Sequence, residues 1–474
     1  MMSQGHSVLV LAVDPWVRLV GLDVEKMAQQ VENNQSLEGA GGTFYVPPVI
    51  YLGTKMKLYY RRPYVRVKHK QINMNIIYSK YSNRIAILSN DELDFFDALV
   101  SNDELDEFKY EEYLSFHVEL IDSTIDKLIR NYIVFLTEEE FLENDFSKKT
   151  QDVKGIDTVY IHPTMRCNLN CSYCYNKAVV GLLKEMSVSS WSNAIDKLVS
   201  TGLKNVVITG GEPTLYRELE ELVDCLKQRN LHVTIITNGT HMDRVIPLLN
   251  QIDCLIVSLD SYISTTNGRI RIGADAYDVY SNILNIKEHK DKIIINAVVT
   301  KNNYEQLDEF QKKVELIGMR LRRMRYTATC INDADEMVYD IIYPDDVTYL
   351  FSRQRYKCHA GTNVFAIASN GDVYPCQTLL KKELCITNVN DSNWLTHITN
   401  KEIELNSIGN SYEKIQKCTT CEFEYICCGG CPSTRYNLTG SFYDLYEPEC
   451  EYLKKCSIRN LENVRIKCCG EGEI

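Results

Sequence analysis

The chain reads as an α/β protein whose central part is a partial (β/α)6 barrel. Six apolar runs, each ending in polar residues, recur at helix-sized intervals over residues 159–164, 205–210, 232–238, 254–260, 293–300 and 320–326. Strands that alternate with helices predict a parallel sheet. Amphipathic segments at 190–200 and 216–228 carry apolar residues at helical spacing and fill the first gaps. A cluster of cysteines directly follows the first run, at the C-terminal strand end where barrels carry their chemistry.

Before the barrel, tyrosine-, valine- and isoleucine-rich runs at 57–64, 65–71 and 76–78 read as hairpin strands. The run 85–88 leads into Ser89-Asn90-Asp91-Glu92, a helix start, and 93–100 continues with helical spacing. A second helix is expected over 121–132, followed by a short strand at 133–136. Within the first 44 residues, 24–33 has an amphipathic pattern and Gly39-Ala40-Gly41-Gly42 marks a break. Residues 146–155 read as a polar linker, and 385–418 as a weakly patterned connector.

At 474 residues and 45% apolar content, the chain can bury a large core and suggests about three domains. A formal charge of −12 argues against nucleic acid, because phosphate binding needs a basic surface. The early apolar run 8–13 is broken by Asp14-Pro15 and has no basic flank, so no secretion signal or membrane span is expected. Eighteen cysteines would suggest disulfides outside the cell, but ten of them fall on metal-cluster spacings in a large α/β chain. A cytoplasmic, reducing setting follows. The remaining eight, including Cys225, Cys254 and Cys330, read as small buried apolar residues.

Cys167, Cys171 and Cys174 supply three thiolates, and the next cysteine is Cys225. A zinc site recruits a nearby fourth ligand, whereas an iron–sulfur cluster held by three cysteines leaves one iron open. The second strand ends in Gly210-Gly211-Glu212-Pro213, where two glycines allow close approach to a ligand. With its cysteine spacing and this loop, the chain resembles the radical S-adenosylmethionine (SAM) enzymes. The resemblance implies that Cys167, Cys171 and Cys174 hold a [4Fe-4S] cluster and are catalytic. SAM would chelate the open iron and be cleaved to a 5'-deoxyadenosyl radical. It also implies SAM contacts from Tyr173, from Gly210, Gly211, Glu212 and Pro213, and from Ser258, Asp260 and Arg271. In Arg271 the interval to Tyr277 fits the family better than in Arg269.

Later cysteines follow a second pattern. Cys358, Gly371 and Cys376 precede Cys418, Cys421, Cys427, Cys431 and Cys450. This order resembles the SPASM domain, whose two auxiliary [4Fe-4S] clusters bring the expected total to three. By resemblance Cys358, Cys376 and Cys431 serve an inner cluster, and Cys418, Cys421, Cys427 and Cys450 an outer one. The inner cluster is one ligand short: Cys385 and Cys428 are the candidate fillers, or the site stays open to a substrate thiolate.

The expected organisation is a tail over 1–44, a domain over 45–145, the radical SAM barrel over 155–330, the SPASM domain over 345–457 and a C-terminal tail over 458–474. Strands, small helices and a wing in the first domain resemble the winged-helix-like leader-recognition domains of ribosomal-peptide maturases. The implied partners are a precursor peptide, whose leader adds to a sheet edge, and a flavodoxin or ferredoxin electron donor. The implied function is a radical peptide maturase that installs a thioether crosslink. The alternatives are carbon–carbon crosslinking and sulfatase-type formylglycine formation, where the family's aspartate base after the second SPASM cysteine is Gln377 in this chain.

Overall fold

The computed structural model describes residues 38–39, 42–43, 56–58, 60, 64–68, 73–82, 84–101, 107–108, 116–135, 138–143, 155–177, 184–330, 358–400 and 402–462. The chain divides into two compact units, Met1–Lys55 with Lys109–Glu112, and the remainder. In the first, the described residues are the antiparallel pair Glu38–Gly39 and Gly42–Thr43. The helical pattern at 24–33, most of the linker at 146–155 and the tail beyond 462 lie outside the described residues.

The second unit opens with an antiparallel sheet of β1 (Tyr64–Lys68), β2 (Asn75–Ser79) and β3 (Arg84–Leu88). Helix α1 (Asn90–Leu99) follows β3, and Ser89 and Glu92 form a reciprocal capping box at its start. Helix α2 (Val118–Arg130) is held to α1 by Lys127, whose Nζ donates to Glu92 Oε1 at 2.6 Å. The apolar runs expected at 57–64 and 65–71 resolve differently. Met56–Lys57 pairs with Glu107–Phe108, and Tyr64 joins the second run. Of the strand expected at 133–136, Ile133, Val134 and Phe135 are buried and Phe135 is a bridge residue, while Leu136 lies outside the described residues.

Six parallel strands then follow: β4 (Thr158–Thr164), β5 (Asn205–Gly210), β6 (His232–Thr237), β7 (Cys254–Ser258), β8 (Ile293–Val299) and β9 (Arg320–Arg325). They lie in chain order across the sheet. Strands β4 to β7 carry buried residues on both faces, as a barrel wall covered by helices must, β8 alternates buried with half-buried residues, and the edge strand β9 leaves Arg320 and Met324 exposed. Helices α3 (Val188–Val199), α4 (Leu219–Lys227), α5 (Ser264–Ile270), α6 (Ala276–Leu284) and α7 (Leu307–Leu316) contribute to the outer layer. Trp191, Ile195, Leu222, Val279 and Phe310 share one core with Val159, Ile208, Ile235 and Ile295 of the strands. The spacing that marked 190–200 and 216–228 as helical is the spacing that buries these side chains.

The sheet does not stop at the six expected strands. Strand β10 (Val364–Ile367) pairs in parallel with β4, setting Val364 opposite Thr158, and hands over to β11 (Asp372–Tyr374) and β12 (Thr387–Asn388). Nine strands therefore form one sheet, and the cysteine-rich C-terminal region is tied to the barrel through its first strand. The weakly patterned connector contains α8 (Trp394–Thr399), with Trp394 fully buried, and a 3-10 run at Glu404–Lys414. Helices α9 (Pro432–Thr439) and α10 (Glu447–Glu462) close the described chain. Among the described residues no helix is long and apolar enough to cross a membrane.

Candidate functional site

The loop after β4 carries Cys167, Cys171 and Cys174, and all three pack on the same small cluster with Leu169, Ala274 and Tyr173. Asn170–Cys171 pairs antiparallel with Arg271–Ile272, so the loop is stitched to the segment after α5. Burial pushes the thiols up, Cys171 to about 11, and neighbouring thiols add to the effect at Cys167 and Cys171. A soft metal cluster that keeps such thiols deprotonated removes that penalty, so the donor set fits one.

The two glycines at the end of β5 have a packing reason as well. A Cβ on Gly211 would sit 2.2 Å from Arg166 O, and one on Gly210 2.4 Å from Thr164 O. This closeness lets Gly211 N donate to Thr164 O at 3.0 Å and Glu212 N to Arg166 O at 2.8 Å, directly before the first cysteine. Pro213 begins a 3-10 turn that Glu212 caps. The Glu212 carboxylate is buried and engaged: Oε1 accepts from Thr214 N, Thr214 Oγ1 and Thr237 Oγ1, and Oε2 accepts from Asn238 N at 2.7 Å. It latches the ends of β5 and β6 together. Asn238 extends the latch to Asn168 Oδ1 at 2.9 Å.

On the other side, the Tyr173 hydroxyl donates to Asp260 Oδ2 at 2.7 Å, and Arg271 Nη1 donates to Tyr173 and lies 3.5 Å from Asp260. Asp260 Oδ1 accepts from Val298 N at 2.7 Å, which ties β7 to β8. Burial pushes the Asp260 carboxyl up, against the pull of Arg271. Arg271 Nε is buried with no hydrogen-bond partner, a donor left facing this network. Ser258 ends β7 half-buried, whereas Tyr277, used to choose between the arginines, is 74% exposed. Arg271 is thus separated from Arg269 by burial and pairing.

Cys418, Cys421, Cys427 and Cys450 line one cavity together with Lys417, Glu424, Arg435 and Glu449. The four residues grouped by the resemblance as one ligand set are therefore brought together. Cys358, Cys376 and Cys431 also meet: burial pushes Cys358 up to about 12, with Cys431 and Cys376 adding to it. Of the two candidate fillers, Cys385 packs on the same apolar cluster as Cys358 and Cys376. The Cys385 thiol bonds within its hairpin to Thr387 O at 3.3 Å, and burial followed by Asp372 raises it. Cys428 is buried against Tyr412, Ile415 and Cys418. It adopts a left-handed cap at φ 47° after the helix Glu424–Cys427. Among the described residues, no three His, Cys, Asp or Glu side chains converge as they would on a single metal ion.

Of the other cysteines, Cys225 is buried, Cys254 half-buried and Cys330 exposed, which corrects the uniform burial expected for them. Sequence reasoning passed over His162 in β4. It is fully buried, neither ring nitrogen has a partner, and burial pushes it down to about 3. Its only sequence signal is a titratable residue inside an apolar run. It likewise passed over Lys80 and Arg435, whose surroundings come from distant parts of the chain.

Residues 161–314 match the radical SAM superfamily, and 358–422 match the SPASM iron–sulfur cluster-binding domain. Mycofactocin maturase MftC of Mycolicibacterium smegmatis is 26% identical over 343 residues, covering 65% of this chain and 86% of the relative. A PqqA peptide cyclase of Bradyrhizobium diazoefficiens is 24% identical over 326 residues, covering 62% and 86%. SuiB of Streptococcus suis bound to S-adenosylmethionine shares the fold with a TM-score of 0.51 at 20% identity, covering 82% of this chain and 99% of SuiB. Native anSMEcpe with bound AdoMet shares it with a TM-score of 0.53 at 19% identity, covering 64% and 97%. The chain is a radical SAM enzyme that joins a SAM- and [4Fe-4S]-binding domain to a SPASM domain for auxiliary iron–sulfur clusters, with peptide maturases among its relatives.

Proposed function

We propose that this chain is a peptide maturase that abstracts hydrogen from a residue of a precursor peptide and joins a cysteine sulfur to the resulting carbon as a thioether. The observation that carries the reading is the meeting of three thiols, the Gly210–Gly211 approach and the Tyr173–Asp260–Arg271 network at the C-terminal strand ends of one barrel. Relatives named as peptide maturases and cyclases support a peptide as substrate.

Cys167, Cys171 and Cys174 would hold the SAM-binding cluster, Cys358, Cys376 and Cys431 the inner auxiliary cluster, and Cys418, Cys421, Cys427 and Cys450 the outer one. When bound, the first cluster and SAM supply a 5'-deoxyadenosyl radical. The protein's own part is placement. Gly210 and Gly211 bring backbone next to the cysteine loop, Glu212 and Pro213 fix that loop's position, and Ser258 ends the neighbouring strand. Arg271, through its unpartnered Nε, offers a donor to the bound cofactor, while Asp260 and Tyr173 orient the guanidinium. The inner set of three thiols would leave one position for a substrate thiolate, deprotonated and oriented at the place of bond formation, and the electron released when that sulfur joins the carbon radical would pass to the auxiliary cluster held there.

Residues 45–145 would bind the leader of the precursor, with β1, at one edge of its three-stranded sheet among the described residues, as the strand to which it adds. A flavodoxin or ferredoxin in a reducing cytoplasm would deliver the electron. Sulfatase-type chemistry is disfavoured because Gln377 follows Cys376 where that branch needs a proton acceptor, and an amide cannot take the proton.

Replacing Cys167, Cys171 and Cys174 together with alanine should abolish 5'-deoxyadenosine formation while leaving the fold intact. Continued formation would refute the radical assignment. Anaerobic coexpression with a candidate peptide separates the product classes by mass spectrometry. Loss of two hydrogens with a cysteine that no longer alkylates supports a thioether, whereas the same loss with a free thiol indicates a carbon–carbon link. Exchange of a side-chain sulfur for oxygen indicates the sulfatase branch.

A further inference from the structure

Arg435 is 1% exposed, although a guanidinium keeps its charge at any physiological pH. Its four hydrogen bonds go to neutral acceptors. Nε donates to Phe442 O at 3.1 Å, Nη1 to Gly429 O at 2.5 Å and Gly430 O at 3.2 Å, and Nη2 to Ser411 Oγ at 2.5 Å. No carboxylate lies within ion-pair distance of it among the described residues.

The other charged groups around the outer cavity are paired. Glu424 meets Lys80 at 3.2 Å, Glu449 meets Arg325, Lys417 meets Glu447 at 2.6 Å, and Lys454 meets Glu451 at 3.9 Å. An isolated buried cation is costly, so an anion is expected beside Arg435. The nearest candidates are thiolates. Arg435 lines the outer cavity with Cys418 and Cys427, and α9, which carries it, begins next to Cys431 of the inner set. The position that a Cβ on Gly429 would take is 3.0 Å from Arg435 Nη1 and 3.3 Å from Cys418 Sγ. Burial pulls the Arg435 cation down, opposed by Cys431, Cys418, Cys358 and Cys427, two from each set. The carbonyls of Gly429 and Gly430 belong to the loop joining Cys427 of the outer set to Cys431 of the inner one.

We infer that Arg435 is a positioning residue that serves as the shared counter-charge of the two auxiliary iron–sulfur sites, holding the loop between them and keeping both at a higher reduction potential. Reduction adds negative charge to a cluster, and a fixed cation beside it favours that state, most strongly where water is excluded. One residue bonded to the linking loop then sets the electron affinity of both sites together. The inference rests on the auxiliary cysteines assigned above.

The test uses the full chain with Cys167, Cys171 and Cys174 replaced by alanine, reconstituted anaerobically so that only the auxiliary sites load. Midpoint potentials are followed by electron paramagnetic resonance, and iron and sulfide are counted, for this background and for added Arg435→Gln or Arg435→Lys. The expected result is a downward shift of both potentials in Arg435→Gln, with Arg435→Lys staying close to the background. Loss of auxiliary iron in Arg435→Gln but retention in Arg435→Lys also supports the charge. Unchanged potentials in Arg435→Gln, or equal loss of iron in both variants, overturns it. A background that binds no iron and sulfide refutes the cysteine assignment instead, whatever Arg435 does.

Discussion

Lys80 Nζ donates to Cys421 O at 3.2 Å, so a residue of the N-terminal sheet reaches the backbone of a cysteine that lines the outer cavity. The same ammonium donates to Thr419 O at 3.0 Å and Glu424 Oε2 at 3.2 Å, and both charged side chains are less than a tenth exposed. Val65, Ile76, Tyr78 and Ile85 of the sheet pack with Phe423 and Leu461 around this contact. The three-stranded sheet over Tyr64–Leu88, within the region proposed to bind a leader peptide, therefore packs against the cysteine-rich region.

Replacing Lys80 with methionine should lower stability by about 3–5 kcal/mol, because Glu424 would remain buried without its cation. Denaturant unfolding of the two proteins checks this. A change below 1 kcal/mol, within the range of an exposed pair, would show that Glu424 is solvated or repaired.

Asp260→Ala should cost a similar amount, about 3–5 kcal/mol, since it strips the buried Arg271 of its anion and leaves Val298 N without its acceptor. Tyr173→Phe keeps the ion pair and should cost about 1–3 kcal/mol, the range for a buried polar partner left unmet. Equal costs for the two variants would mean that the hydroxyl, and not the carboxylate, holds the network.

Gly211→Ala should impair loading of the first cluster, because the new methyl meets Arg166 O at 2.2 Å and the backbone leading into Cys167 must move. Gly268→Ala is the control: its Cβ meets nothing within 4 Å and it lies in α5. A gain of about 0.5–1 kcal/mol is expected there from helix propensity. Iron content and thermal unfolding of both variants separate crowding from a general intolerance of change.

Glu92 sits below its ordinary value of 4.5: burial raises it, but the bonds with Lys127 and Ser89 outweigh burial. A carboxyl depressed in the folded state stabilises fully above its unfolded value and loses that contribution as the pH falls through the folded one. Amide exchange over Asn90–Leu99 should therefore be slower in the wild type than in Glu92→Gln at pH 7, with the gap closing below about pH 4.5. A gap that persists at the lowest pH would assign the protection to packing alone.

Much of the barrel was legible because strand and helix periods are local. The six runs became six strands with bounds shifted by a residue or two, and Ser89 with Glu92 announced a helix start that the structure closes as a capping box. The first thiol loop was legible for a related reason, since a few residues of separation keep Cys167, Cys171 and Cys174 close, whereas the two later sets were grouped only by the family resemblance. Where the pattern was weak the sequence said little, as with the connector that holds α8, whose buried Trp394 is fixed by packing with distant segments.

By itself, then, the sequence determined the barrel's alternation and the thiol loop, which depend on neighbours along the chain, while the grouping of the later cysteines into two sets came from a family resemblance. Only the tertiary structure decided that β10 continues the barrel sheet, that Glu212 latches two strand ends, that Lys80 supports the outer loop and that Arg435 lies among thiols of both sets. Burial creates those relationships: a charge taken out of water must find partners in space, and nothing in the local pattern says which distant carbonyl or thiol will be there.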